Sequence, residues 1–176
     1  IYRFDLERLY QEIDWFSRKK IPFVFCCDAN FGILKRDIDI ANYLANKRNM
    51  TGFPAAITVQ STKNATERSY KVQKILFDAG FLTDVTLSVQ SLTPQVLKDI
   101  KRDNISLTSF QELQQRFLRE NMGTYTDILI GLPGETYDSL ADGVSQVIES
   151  GQHRCIMFFN VYVLPNAEMG NKTYQH

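Results

Sequence analysis

Five short apolar runs rich in β-branched and aromatic residues recur along the chain, at residues 22–27, 55–60, 85–90, 126–131 and 155–163. They are near-continuous rather than alternating, which predicts strands covered on both faces. Amphipathic segments separate them. The first carries Leu6, Leu9, Ile13 and Phe16 on one face behind a potential Asp5 cap. A second helix is expected over 37–47 and a third over 66–79, closed by Gly80. Thr93-Pro94 opens a short helix, since proline suits the first helical position. A longer one follows with Leu107, Phe110, Leu113 and Phe117 on one side, and Thr108 and Gln111 stand at capping-box spacing. The last uses Leu140, Val144, Val147 and Ile148 and stops at Gly151. Strand followed by helix, repeated, implies right-handed crossovers and a mainly parallel sheet.

Two architectures satisfy that pattern, an open doubly wound sheet and part of a (β/α) barrel. A complete eight-unit barrel takes about 250 residues. The 176 residues here supply only part of one, and no linker or repeat divides them, so a single domain over 1–176 is expected. The chain starts at Ile1 and enters a helical pattern at once, which suggests a piece of a longer protein whose barrel begins one strand earlier. Hydrophobic residues at 44% and charged residues at 23% describe a globular chain. Its formal net charge of zero offers no electrostatic footprint for nucleic acid or an anionic membrane. No apolar run reaches the roughly 20 residues of a membrane span. Cys26, Cys27 and Cys155 make no disulfide framework. With no signal segment, a cytoplasmic setting is expected.

In either architecture ligands bind at the carboxyl ends of the strands. Those ends are polar: Cys27-Asp28-Ala29-Asn30, Gln60-Ser61-Thr62-Lys63-Asn64, Ser88-Val89-Gln90-Ser91, Gly131-Leu132-Pro133-Gly134-Glu135 and Pro165-Asn166-Ala167-Glu168. Gln90 is an amide inside an apolar run, where an unpartnered amide costs about 1–3 kcal/mol. It closes a structural hydrogen bond or meets a ligand. Asp127, within the fourth run, needs a cation, a set of donors or a pair of sugar hydroxyls. Adjacent Cys26 and Cys27 point to opposite faces of a strand and cannot chelate one ion, so they read as buried apolar groups. His153 and His176 have no partner at catalytic spacing. The basic clusters Arg18-Lys19-Lys20, Lys47-Arg48 and Lys101-Arg102 fall near helix ends, where they complement the helix dipole. The glycines of the 131–135 stretch do not form a nucleotide-binding fingerprint.

Ser88-Val89-Gln90-Ser91, Arg102 and the stretch Thr126-Asp127-Ile128-Leu129-Ile130-Gly131-Leu132-Pro133-Gly134-Glu135-Thr136 resemble radical S-adenosylmethionine (radical SAM) proteins. The cobalamin-binding and oxygen-independent coproporphyrinogen oxidase-like branches are the most similar in style, and the resemblance runs from Asp5 to Ala167. It implies a partial TIM-like barrel holding S-adenosylmethionine. Asp28 would lie near the methionyl ammonium and Gln60 near the ribose or methionyl group. Gln90 and Asp127 would hydrogen-bond the ribose side, Asp127 as an acceptor of two hydroxyls, Arg102 would face the methionyl carboxylate, and Leu129 and Val161 would flank the adenine.

The resemblance also implies a [4Fe-4S] cluster, a reductant for it, a small-molecule substrate and, as a candidate second cofactor, cobalamin. In such enzymes the cluster cleaves S-adenosylmethionine reductively to methionine and a 5′-deoxyadenosyl radical. The Cys-x3-Cys-x2-Cys motif that holds the cluster is absent from the 176 residues, so the isolated chain is expected to be inactive. Two rivals stand beside this reading: a cluster-free barrel enzyme acting on a phosphorylated or sugar-like ligand, and a degenerate barrel serving as a binding module. A barrel opened before its first strand would leave the edge at 22–27 unpaired, so self-association is also expected.

Overall fold

The computed structural model describes residues 3–61, 67–82, 84–102, 105–165 and 167–171. The order is α1 (Leu6–Arg18), β1 (Phe23–Phe25), α2 (Arg36–Thr51), β2 (Ala56–Thr58), α3 (Glu67–Asp78), β3 (Asp84–Thr86), α4 (Pro94–Asp99), α5 (Leu107–Arg119), β4 (Gly123–Ile130), α6 (Tyr137–Glu149) and β5 (Cys155–Asn160). A 3₁₀ turn over Glu168–Gly170 follows. The expected alternation of strand and helix is present, including the short and the longer helix, α4 and α5, expected between β3 and β4. The expected helix start at Thr66, and Thr62, Lys63, Asn64, Asn166 and His176, lie outside the described residues. Two compact units divide the chain, Ile1–Val85 and Thr86–His176.

In the first unit β1 and β2 pair in parallel, Val24 beside Ile57. Asp5 caps α1 as expected, its carboxylate accepting from the backbone N–H of Glu7 at 2.9 Å and of Arg8 at 3.3 Å. Ile13, Ile40, Ala41, Leu44, Ile57, Val72, Leu76 and Phe81 form the core, with Val24 and Cys26 packed against it. Phe23 and Phe25 alternate with those residues and remain about half exposed, at 54% and 50%. The double coverage expected of this run is therefore corrected. α-Helices cover one face of β1, and the run's continuous apolarity reflects side chains that stand on the other.

The loop after β1 turns sharply. Gly32 sits at φ +99°, and a Cβ there would meet the Ser69 Cα at 3.2 Å, so the position needs glycine. Asp37 is buried at the start of α2, and its Oδ2 accepts from the Gly32 and Leu34 N–H groups at 2.9 and 2.8 Å. Cys26 is half-buried, with its thiol pKa pushed up by burial, whereas Cys27 is exposed. Only the first fits the buried reading, because the strand's alternation turns its neighbour away from the core.

β4 is the central strand of the order β3-β4-β5, of which β3 ends on the first residue of the second unit. β4 and β5 run parallel, with Asp127 beside Met157 and Leu129 beside Phe159. Thr124, Thr126 and Ile128 face inward from β4, while Phe110, Phe117, Met122, Val96 and Val147 are buried around them. Thr93 precedes α4 and Pro94 occupies its first turn, as expected. The cap of α5 is a correction: Ser106, not Thr108, accepts from the Ser109 N–H at 3.0 Å. Both residues suit a cap, and the helix begins one residue after the earlier of them. At α6, Thr136 and Ser139 form a reciprocal capping box, and Gly151 follows the last turn at φ +99°. Val147 is fully buried there, but Ile148 is 45% exposed and lies off the face expected of it. β5 is largely exposed on both sides, including Met157, Phe158 and Phe159.

Candidate functional site

Among the described residues of the second unit, the strand ends bring Gln90, Asp127, Leu129 and Val161 into one hydrogen-bonded arrangement. The Gln90 N–H donates to the Asp127 carbonyl at 3.2 Å, and the Leu129 N–H donates to the Gln90 carbonyl at 2.9 Å. The Val161 N–H donates to the Ile130 carbonyl at 3.0 Å. Asp127 and Leu129 share one face of β4, and their register partners Met157 and Phe159 lie beside them on β5, partly exposed. A carboxylate bordered by two apolar side chains results. Such a face can accept hydrogen bonds and cover an aromatic ring.

The polar atoms decide what that face asks for. Asp127 Oδ2 accepts from the Ser88 hydroxyl at 3.0 Å. Asp127 Oδ1 and Gln90 Oε1 are both buried and have no hydrogen-bond partner. An acceptor left unsatisfied in this way costs about 1–3 kcal/mol. Each of these acceptors calls for a donor that the described residues do not supply. Gln90 also has φ +63°, a left-handed backbone that a side chain other than glycine adopts at a cost.

Arg102 stands elsewhere in this unit. It is half-buried just beyond α4, and burial lowers its guanidinium pKa from the ordinary value. With Leu97, Lys98, Ile105 and Gln146 it lines a cavity of about 590 Å³ whose wall includes none of Gln90, Asp127, Leu129 and Val161. No carboxylate pairs with it among the described residues. Asp28 and Gln60 belong to the first unit, and both are exposed. Asp28 Oδ1 accepts from the Asn30 N–H at 2.9 Å, and the Gln60 carbonyl accepts from the Phe31 N–H at 2.9 Å. The first closes a turn after β1, and the second belongs to a parallel bridge between the loop after β1 and the end of β2.

Two residues that carry this geometry were given no role from the sequence. Ser88 was legible as a hydroxyl two residues before Gln90. Glu135 accepts from Ser91, Thr93 and Ser139, a convergence no local pattern announces. Among the described residues no three His, Cys, Asp or Glu side chains come together to hold a metal ion. No helix among the described residues is long and apolar enough to cross a membrane.

No family model matches the sequence. Over 164 residues, 93% of its length, the chain is 44% identical to the 2-(S-pantetheinyl)-carbapenam-3-carboxylate methyltransferase of Streptantibioticus cattleyicolor. Over 167 residues, 95% of its length, it is 42% identical to the cobalamin-dependent radical SAM methyltransferase TokK of Streptomyces tokunonensis. It spans about a quarter, 24%, of each of these curated relatives. Among solved structures it is similar to the radical SAM coproporphyrinogen III oxidase HemN of Escherichia coli, with a TM-score of 0.68 and 21% identity over 91% of this chain and 37% of that one. It is also similar to the radical SAM methyltransferase TsrM of Kitasatospora setae, solved with cobalamin and a [4Fe-4S] cluster, with a TM-score of 0.71 and 14% identity over 94% of this chain and 30% of that one. At such identities the structures establish the fold, and the sequence relatives carry the kinship. With its parallel βα units and its Val-Gln-Ser and Gly-Leu-Pro-Gly-Glu-Thr stretches, the chain belongs to the radical SAM superfamily and shares part of that family's barrel.

Proposed function

We propose that this chain is the nucleoside-binding part of the barrel in a cobalamin-dependent radical SAM methyltransferase that modifies a small molecule. The observation that carries the reading is the pair of buried, unpartnered acceptors, Gln90 Oε1 and Asp127 Oδ1. The ribose of S-adenosylmethionine offers two adjacent hydroxyls as donors. Leu129 and Val161 would border the adenine with Met157 and Phe159, and Arg102 would face the methionyl carboxylate. When bound, S-adenosylmethionine supplies the methyl group and the adenosyl chemistry of such enzymes. The chain's own part is to bind and orient the nucleoside.

The names of the two sequence relatives support methyl transfer to a small molecule, and the name of one supports cobalamin. The cluster and its reductant belong to the same reading. The motif that would hold the cluster is not among these 176 residues.

The test compares S-adenosylhomocysteine with its 2′-deoxy counterpart by calorimetry on the full-length protein. Losing one hydroxyl opposite a charged acceptor should weaken binding by about 1.5–3 kcal/mol. Asp127→Ala should shrink that difference. Equal affinity for the two compounds in the unaltered protein would overturn the ribose assignment.

A further inference from the structure

We propose that Glu135 is a positioning residue that sets where the Gln90 amide stands. Three hydroxyls converge on its carboxylate. Ser91 Oγ donates to Oε2 at 2.8 Å, Thr93 Oγ1 donates to Oε1 at 2.8 Å, and Ser139 Oγ donates to Oε1 at 2.5 Å. Ser91 and Thr93 lie one and three residues after Gln90, and Ser139 lies in the first turn of α6. Glu135 therefore ties the turn after β3 to the start of α4 and the start of α6.

Three further observations point the same way. Thr93 occupies the cap position of α4, yet its side chain makes no capping bond; its hydroxyl is committed to Glu135 instead. The Ser91 N–H donates to the Val89 carbonyl at 2.8 Å, closing a three-residue turn centred on Gln90. That turn carries the left-handed backbone of Gln90, which persists only where its surroundings hold it. Ser91 is buried at 5% exposure, and its hydroxyl reaches a carboxylate, which makes a stronger anchor than a neutral acceptor.

The proposal rests on the reading of Gln90 and Asp127 as ribose acceptors. It adds that this reading depends on a residue that touches no ligand. Without the carboxylate, Ser91 and Thr93 lose their anchor, the turn relaxes, and the Gln90 amide leaves its place at the end of β3.

The experiment measures dissociation constants of S-adenosylhomocysteine and its 2′-deoxy counterpart for the full-length protein carrying Glu135→Leu, Glu135→Gln or Gln90→Ala. Glu135→Leu should weaken S-adenosylhomocysteine about tenfold and bring the two ligands within about threefold of each other. Glu135→Gln should restore most of the discrimination, because an amide oxygen still accepts hydroxyls and its NH₂ can donate to a reoriented one. A residue serving stability alone would lower the melting temperature and leave the ratio of the two constants unchanged. If Gln90→Ala removes the discrimination and Glu135→Leu does not, the positioning role is overturned while the ribose reading survives. If Gln90→Ala leaves the ratio untouched, the proposal falls together with the Gln90 assignment beneath it. Should Glu135→Leu fail to fold, a Ser91→Ala, Thr93→Val double variant removes two of the same bonds from the other side and is read by the same ratio.

Discussion

Ser88 Oγ donates to Asp127 Oδ2 at 3.0 Å and leaves the other oxygen of the carboxylate without a partner. The bond gives the carboxylate one fixed edge and one edge that is buried and unpartnered. Ser88→Ala should free the side chain to rotate and leave a second oxygen without a donor. A hydrogen bond to a charged group is worth about 1.5–3 kcal/mol. Part of that loss should appear as about a tenfold rise in the dissociation constant for S-adenosylmethionine, measured by calorimetry. Ser88→Thr, which retains the hydroxyl, should bind more tightly than the alanine variant. Equal affinities for alanine and serine at this position would show that the bond does not hold the carboxylate for a ligand.

Arg102 gives a separable outcome. If its guanidinium takes the methionyl carboxylate, Arg102→Ala should weaken S-adenosylmethionine by about 1.5–3 kcal/mol and leave adenosine binding unchanged, since adenosine has no carboxylate. If it only complements the end of α4, its removal should cost at most about 1 kcal/mol, in stability, and leave both ligands alone.

Beneath β4 lies a buried polar network whose disruption should act on folding. Gln114 Nε2 donates to Thr124 Oγ1 at 2.7 Å and to the Gly151 carbonyl at 3.2 Å. Gln152 Nε2 donates to Thr126 Oγ1 at 2.9 Å, and Thr126 Oγ1 donates to the Leu87 carbonyl at 3.0 Å. Gln114→Leu keeps the volume and removes the amide, so the groups it served are left buried without it. About 1–3 kcal/mol of unfolding free energy should be lost in urea titrations. Nucleoside discrimination should be unaffected.

Asp14 links stability to acid. Its carboxyl pKa is lowered first by the hydrogen bond from Lys47, then by the one from Tyr43. A carboxylate with a depressed folded pKa contributes stability that is complete above the unfolded carboxylate value and is lost as pH falls through the folded one. Unfolding free energy should therefore decline on acidification below about pH 4, the ordinary carboxylate range. Asp14→Asn should flatten that decline, and a variant curve as steep as the parent's would exclude the pair as its source.

Phe23 and Phe25 project from the face of β1 that α-helices do not cover, at 54% and 50% exposure. β1 lies at the edge of its two-stranded sheet, where backbone groups template pairing with another chain and apolar side chains beside them add a patch to cover. The 176-residue chain alone should give a concentration-dependent mass by light scattering behind a sizing column. Phe23→Ser together with Phe25→Ser should lower that mass. A concentration-independent monomer would show that this face needs no partner.

The order of elements was legible because each βα repeat writes its own period into the residues. α1, with Asp5 before Leu6, Leu9 and Ile13, is the clearest case. Which strand faces are covered was not legible. An apolar run such as 22–27 reads the same with one helical layer or two, and only the structure separates Val24, packed on the core, from Phe25. Gln90 and Asp127 stood out from sequence because a polar side chain in an apolar run is expensive. Glu135 did not, because its Ser91 and Thr93 donors lie 44 and 42 positions away, and only the tertiary fold brings them together.

The left-handed backbone of Gln90 sets stability and recognition against each other at a single position. Glycine is the residue that such a turn accommodates with least difficulty. Gln90→Gly would ease the backbone and remove a buried acceptor that has no donor in the folded chain. The variant that lost the amide could therefore match the parent in thermal resistance. Selection for a robust fold alone would favour that exchange, and selection for the proposed nucleoside contact would oppose it. A library sorted for folding and then for nucleoside affinity should enrich glycine at position 90 in the first sort and glutamine in the second.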